Sequence, residues 1–346
     1  MAQKTGLSRG KKINIVVSTL LLALFLYLAF RNVNFEELKQ ILETTNYLYV
    51  FIGGLLGIYG ATIVRSIRWG IMLEPIKPDI PFKSLLSTTI IGYMVNNLIP
   101  RSGEVVRPYL LGQHEGISRT SAFATIIIER IIDTVSFLIM FGIALIFFRD
   151  SISTAIPQIG TVMVVLAVFT FLLTFWIIFS MFKTETSLRI VKFFTKFLPA
   201  KLNAKVDNMF TSLVNGFVIL RKPALLFKIG IYSVLIWIIY IFSTYIPFYS
   251  FDIMTGSGNV LKALWDANLL LVLINVAMFV PSPAATGPYH FICKVTLVSI
   301  FSVSESKALG YATATHAMAF LLFLVAGLYY FITSQYKFSE IKEGTK

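Results

Sequence analysis

Three charged side chains, Arg101, Glu104 and Arg107, stand within the run NNLIPRSGEVVRPYLL at residues 96–111, directly after an apolar stretch. Glu104 and Arg107 are three apart and would share a helical face. Arg101 stands beside Gly103, where a helix that starts again would offer free backbone donors. Further on, Thr125, Glu129, Asp133 and Ser136 follow a helical spacing and form one polar stripe, with Arg130 beside it and within reach of Asp133. Arginine forks and helix N-termini bind phosphate oxygens, so these residues, with Asn97 and Gly103, are candidates to hold an anionic headgroup. The plainer alternative is a set of internal ion pairs that pins a broken helix in place.

The elements that must position these residues follow from composition. The 346 residues are 56% hydrophobic and only 14% charged, with 31 Phe, 15 Tyr and a mean hydropathy of +0.78. That leaves too little polar surface for a water-soluble globule and implies an integral membrane protein. Apolar stretches near the length a helix needs to cross the hydrocarbon core occur at 13–30, 47–64, 120–148, 155–182, 224–249 and 308–332. Residues 1–30 read as a retained first helix, because no small-x-small cleavage site precedes Arg31. The lone cysteine, Cys293, excludes an intrachain disulfide.

A net charge of +13 would suggest nucleic acid in a soluble chain; in a membrane it orients the spans, since cytoplasmic loops collect Lys and Arg. With both termini cytoplasmic, the loop bearing Arg65, Arg68, Lys77 and Lys83 and the basic loop 183–222 fall inside. Residues 84–117 and 261–303 then each begin and end on one side. The expected architecture is an all-α polytopic membrane protein, residues 1–346 forming a single transmembrane domain. It has about six full spans plus two re-entrant helical hairpins, or eight spans if the hairpins cross.

The hairpins share a pattern. Pro100 and Gly103 precede Ser118 and Arg130, while Pro283 and Gly287 precede Ser304 and His316, with the same interval from serine to the second polar residue. This suggests an inverted repeat, with halves at 47–148 and 224–334, the plan of many secondary transporters. Gly287, His290 and His316 are the second half's candidate contacts; satisfied structural histidines are the plainer reading of the last two. Gly53, Gly57 and Ala61 suggest helix packing. Arg189, Lys192 and Lys196 interleave with Phe193, Phe194 and Phe197 as in an amphipathic helix on the inner leaflet. No phosphate-binding Gly-rich loop ending in Lys-Ser/Thr, His-Glu-x-x-His or Gly-x-Ser-x-Gly motif occurs, and three scattered histidines offer no metal spacing. No cofactor or metal is expected.

The run NNLIPRSGEVVRPYLL, the following SAFATIIIERIIDTVSF, the later PSPAATG and the RSIRW at 65–69 resemble the flippase-like family typified by the membrane region of lysylphosphatidylglycerol synthases. The likeness covers roughly residues 10–335. It implies movement of a lipid across the bilayer without an enzymatic step of its own, and some relatives are linked to polyprenyl-phosphate sugars. A chain ending at Lys346 carries no aminoacyltransferase domain, so a stand-alone translocator is expected. The family's usual Pro-Gly-Gly-x-Gly with a following glutamate is replaced here by Ala284, Ala285, Thr286 and Gly287, then His290.

The leading expectation is therefore a translocase for an anionic phospholipid or polyprenyl-phosphate-linked lipid in the cytoplasmic membrane. A membrane-embedded glycosyltransferase is the alternative, with Glu36, Glu37 and Glu43 as its outer acidic residues. A non-catalytic scaffold that recruits a cytosolic lipid-modifying enzyme through the basic loop 183–222 is the third.

Overall fold

The computed structural model describes residues 9–99, 101–155, 183–196, 199, 223–253, 259–277 and 280–334, with single positions between 165 and 179. Among the described residues all regular structure is helical. The expected span at 155–182, most of the loop 183–222, Pro100 and the two terminal segments lie largely or wholly outside them. The chain groups into two compact units made of alternating pieces. One comprises residues 1–58, 94–101 and 241–324, the other 59–93, 102–240 and 325–346.

In chain order, α1 (Arg9–Phe30) is followed by the short amphipathic α2 (Phe35–Thr44), the two axes meeting at 89°. Asn34 starts α2 by accepting the Glu36 and Glu37 N–H groups at 3.0 and 3.2 Å, which satisfies donors that have no intrahelical acceptor. Then come α3 (Tyr47–Leu73), which contains a π-helical turn at Leu56–Gly60, α4 (Phe82–Leu98) and α5 (Gly103–Glu115). α6 (Arg119–Ala155) bends at Phe148, and α7 (Thr184–Thr195) is the basic amphipathic helix. α8 (Pro223–Tyr245) runs on as a 3-10 turn to Phe251; α9 (Val260–Ala277), α10 (Pro288–Phe301) and α11 (Glu305–Thr333) complete the order.

Among the described residues five helices are long and apolar enough to cross a membrane: Tyr47–Leu73, Arg119–Phe148, Pro223–Phe251, Val260–Ala277 and Glu305–Thr333. The pair Val16–Phe30 and Phe35–Thr44, bent by 89°, adds a sixth if it counts as one span. The chain is thus a polytopic helical membrane protein, and apolar side chains such as Ile139, Ile146 and Phe147 stand exposed on α6, as a lipid solvent permits. At 1.5 Å per residue, α4 and α5 reach only about 26 and about 20 Å, short of a hydrocarbon core of about 30 Å. They meet closely: a Cβ on Gly92 would lie 3.2 Å from both the Arg107 Cβ and the Gly103 carbonyl oxygen, so a larger residue would press the two backbones apart by a few tenths of an ångström. Gly116, at φ 66°, ends α5 in the left-handed conformation that glycine adopts freely.

One boundary differs from the sequence reading. The second span does not end at residue 64 but continues to Leu73, which takes Arg65 and Arg68 out of the loop and into the helix, both buried. Hydropathy drops there, yet the helix persists because each arginine meets a carboxylate, as the next subsection describes. Around them packs a core of Trp69, Met72, Leu73, Leu111, Ile126 and Ile229. The other unit has its own core, in which Ala267, Leu270 and Ile274 of α9 pack with Cys293 and Leu297 of α10 and Tyr311 of α11.

Outside the spans, the Lys77 ammonium bonds the Glu115 carboxylate and carbonyl oxygens, both at 2.8 Å, and so clips the end of α5 to the loop between α3 and α4. Burial alone would raise the Glu115 carboxyl, but hydrogen bonds from Lys77 and Ser84 outweigh it and hold the group below its ordinary 4.5. A carboxyl lowered on folding stabilises fully above the unfolded value and loses that contribution as pH falls through the lowered one. Lys77→Met should therefore cost up to about 1 kcal/mol near neutral pH, and the difference from wild type should shrink as pH falls below the ordinary 4.5 and through the lowered value. Melting curves of the two proteins across that range check it.

Candidate functional site

The site is assembled from three faces of one compact unit. On α3, Arg65, Arg68 and Trp69 lie at helical i, i+3 and i+4 positions; on α6, Thr125, Glu129 and Asp133 repeat at i and i+4. Arg107 arrives from α5. Arg65 bonds Asp133 Oδ2 at 2.8 Å and Glu129 Oε1 at 3.2 Å, and its Nε donates to the Tyr240 hydroxyl at 2.9 Å. Arg68 bonds Asp133 Oδ1 at 2.6 Å and the Ser233 hydroxyl at 2.9 Å. Arg107 grips both Glu129 oxygens, at 2.9 and 3.1 Å, and its guanidinium lies 3.8 Å from the centre of the Trp69 ring. The Trp69 indole N–H is held in turn by Thr125 at 2.8 Å.

Arg130 closes the group. It bonds Glu129 at 2.7 Å and Asp133 at 3.0 Å and lies 3.9 Å from Glu104. Its side chain is 38% exposed and that of Glu104 is 40% exposed, whereas the Glu129 carboxylate is fully buried. Arg130 and Glu104 are thus the partly exposed members of a polar cluster whose Glu129 and Arg107 side chains are buried.

The charges do not balance. Four arginines, Arg65, Arg68, Arg107 and Arg130, face two carboxylates, Glu129 and Asp133, with Glu104 only at the rim. Several buried donors, Arg68 Nε, Arg107 Nε and Nη2 and Arg130 Nε, have no hydrogen-bond partner among the described residues. Burying a cation in a bilayer costs about 2.5–3.5 kcal/mol even on lenient scales, and an unpaired charge costs more. A cluster with surplus positive charge and unused donors is chemically suited to an oxyanion.

Of the residues singled out from sequence, Arg107, Glu129, Arg130 and Asp133 meet in this cluster, and Glu104 reaches its rim. Arg107 pairs with Glu129, while Glu104, on the same helix, lies 3.9 Å from Arg130. Gly103 starts α5 against Gly92. Asn97 and Arg101 group with the other unit; Arg101 is exposed and left-handed at φ 62°, and Asn97 is half-buried. Sequence reasoning missed Arg65, Arg68, Trp69, Ser233 and Tyr240. The signal for the first three was present in RSIRW, whose spacing makes one helical face.

In the other unit Gly287, His290 and His316 also come together. The histidines are not lone groups, for their ring centres lie 4.8 Å apart. Gly287, at φ 91°, sits where a Cβ would press on the Leu22 carbonyl at 3.0 Å, so close packing on α1 requires glycine there. Glu37 bonds the Ser306 hydroxyl at 2.8 Å, and Glu43 lies 4.0 Å from Lys39 on the exposed side of α2. Among the described residues no group of His, Cys, Asp and Glu is arranged to hold a metal.

Comparison with known proteins places this geometry in a family. The model of the lysylphosphatidylglycerol synthase transmembrane region matches residues 15–327. A UPF0104 membrane protein of Methanocaldococcus jannaschii is 31% identical over 133 residues, 37% of this chain and 39% of that protein. Another, from Methanothermobacter thermautotrophicus, is 26% identical over 265 residues, 71% of this chain and 74% of its own length. With a family match that runs through α1 to α11 and includes every member of the arginine cluster, the chain belongs to the family of the lysylphosphatidylglycerol synthase transmembrane region.

Proposed function

We propose that this protein is a lipid translocase of the cytoplasmic membrane. It moves an anionic phospholipid or a polyprenyl-phosphate-linked lipid between leaflets and carries out no covalent chemistry. The observation that carries the reading is the surplus of arginine over carboxylate in a buried cluster with a half-exposed mouth. A lipid phosphate entering past Arg130 would take up the unused guanidinium donors, while its tails stay in the hydrocarbon. Glu129 and Asp133 hold the arginines apart from one another when no lipid is bound, which keeps the site formed. The short helices α4 and α5, with a break between them, belong where non-helical backbone is tolerated at membrane depth: buried in protein or lining a polar cavity.

In this reading the hairpins 84–117 and 261–303 are inverted counterparts that move during alternating access, and both termini are cytoplasmic. A cytosolic lipid-modifying enzyme that feeds the site is the expected partner class. The test is translocation in liposomes containing the purified protein, using a fluorescent phosphate-bearing lipid quenched from one side. Quenching of the inner-leaflet pool, faster than in protein-free liposomes and absent with a zwitterionic analogue, supports the reading. Rates equal to protein-free liposomes for every anionic lipid class would reject it.

A further inference from the structure

The second hairpin carries a polar cluster that the arginine site does not use. Between α9 and α10 the chain turns through Ala284, Ala285 and Gly287, at φ 51°, 55° and 91°. His316 of α11 braces this turn: its Nε2 lies 2.9 Å from the Ala284 carbonyl, and since a carbonyl only accepts, Nε2 carries the hydrogen. The His290 ring packs on His316 at 4.8 Å, and the Tyr289 ring lies 5.0 Å from His316 with its hydroxyl paired to Thr315 at 3.0 Å.

Two groups here are buried without a partner among the described residues: His290 Nδ1, on a residue 6% exposed, and Ser282 Oγ, on a residue 4% exposed. The bonding of α10 begins with the Phe291 N–H to the Gly287 carbonyl at 2.9 Å, so the first-turn N–H groups of Tyr289 and His290 have no intrahelical acceptor. Among the described titratable groups Tyr289 on α10 lies against the pair, its ring 5.8 Å from His290 and 5.0 Å from His316. Lys294, one turn beyond His290, is turned to Glu305 at 3.1 Å and the Arg31 carbonyl at 2.9 Å. What remains open is a set of donors at a helix N-terminus: a hydroxyl, an imidazole and backbone N–H groups, the combination that binds oxyanions.

We propose that Ser282, His290 and the first turn of α10, braced by His316, form a second oxyanion site that takes a phosphate group. The phosphate belongs to a lipid headgroup or is free in solution, and only the first source rests on the translocase reading. The chain has three histidines, and the third, His114, lies exposed at the end of α5, so each imidazole is a separate reporter. The full chain is labelled with 15N-histidine in a maltoside detergent, assigned by His114→Gln, His290→Gln and His316→Gln, and titrated with inorganic phosphate and with a short-chain phosphatidic acid.

Saturable shifts of the His290 and His316 signals, with His114 unmoved, are expected. Ser282→Ala should weaken the apparent affinity about tenfold or more, as the loss of a hydrogen bond to a charged group does. Tighter binding of the phosphatidic acid, by about tenfold or more, assigns the phosphate to a lipid; equal binding assigns it to the free ion. The shifts should persist in an Arg130→Gln protein, which separates this site from the arginine cluster. Unmoved His290 and His316 signals in the wild type with both probes overturn the proposal. So does a folded Ser282→Ala protein that binds like wild type.

Discussion

Replacing Glu129 by glutamine is expected to lower the stability of the protein by about 3–5 kcal/mol, the cost of leaving buried charge uncompensated. The residue is fully buried and accepts hydrogen bonds from Arg65, Arg107 and Arg130. With its charge removed, Arg65, Arg68 and Arg130 would share the carboxylate of Asp133, with Glu104 only at the rim, and Arg107, which bonds no other acidic residue among those described, would lose its counter-charge. The Trp69 ring over which Arg107 lies supplies about 2 kcal/mol but no counter-charge. Glu104→Gln makes the contrast. Its carboxylate is 40% exposed and 3.9 Å from Arg130, so its loss should cost less than about 1 kcal/mol. Thermal unfolding of the three proteins in one detergent decides the matter. Equal melting of Glu129→Gln and wild type would mean that the cluster is solvated and does not hold the helices together.

The largest effect on function is expected at Arg130. As the half-exposed arginine of the cluster it is the first guanidinium an entering headgroup meets, and its removal takes one charge from the surplus while Glu129 and Asp133 keep their other partners. Arg130→Gln should therefore melt close to wild type yet slow translocation by about 10- to 150-fold, the equivalent of one hydrogen bond between charged groups. Arg130→Lys should recover part of the rate, because an ammonium keeps the charge but not the planar fork. Full transport by Arg130→Gln would remove this residue from the lipid path. A parallel collapse of melting and transport would instead make the cluster a structural clasp.

Much of this site was legible from residue spacing. The stripe Thr125, Glu129, Asp133 and the neighbouring Arg130 lie on one helix, so the 3.6-residue repeat alone brings them to one side. The break between α4 and α5 was legible too, because Pro100 and Gly103 interrupt an apolar run. Arg65 and Arg68 were not, for a physical reason. Hydropathy judges each residue against lipid, and two arginines end a span on that measure; in the fold they are judged against Asp133 and Glu129, which lie far along the chain. The pairing of His290 with His316 escaped for the same reason, since a contact between α10 and α11 leaves no local pattern in either. A shared face says only which side chains can meet on one helix; the partner of Arg107, Glu129, comes from another.

The central claim is that the arginine cluster holds a lipid phosphate. The most direct measurement is native mass spectrometry of the protein purified in mild detergent, with the bound lipids identified in wild type and in Arg130→Gln. The account predicts that wild type retains a phosphate-bearing lipid class beyond its share of the membrane and that the variant loses it. Identical bulk lipids on both proteins would contradict the account.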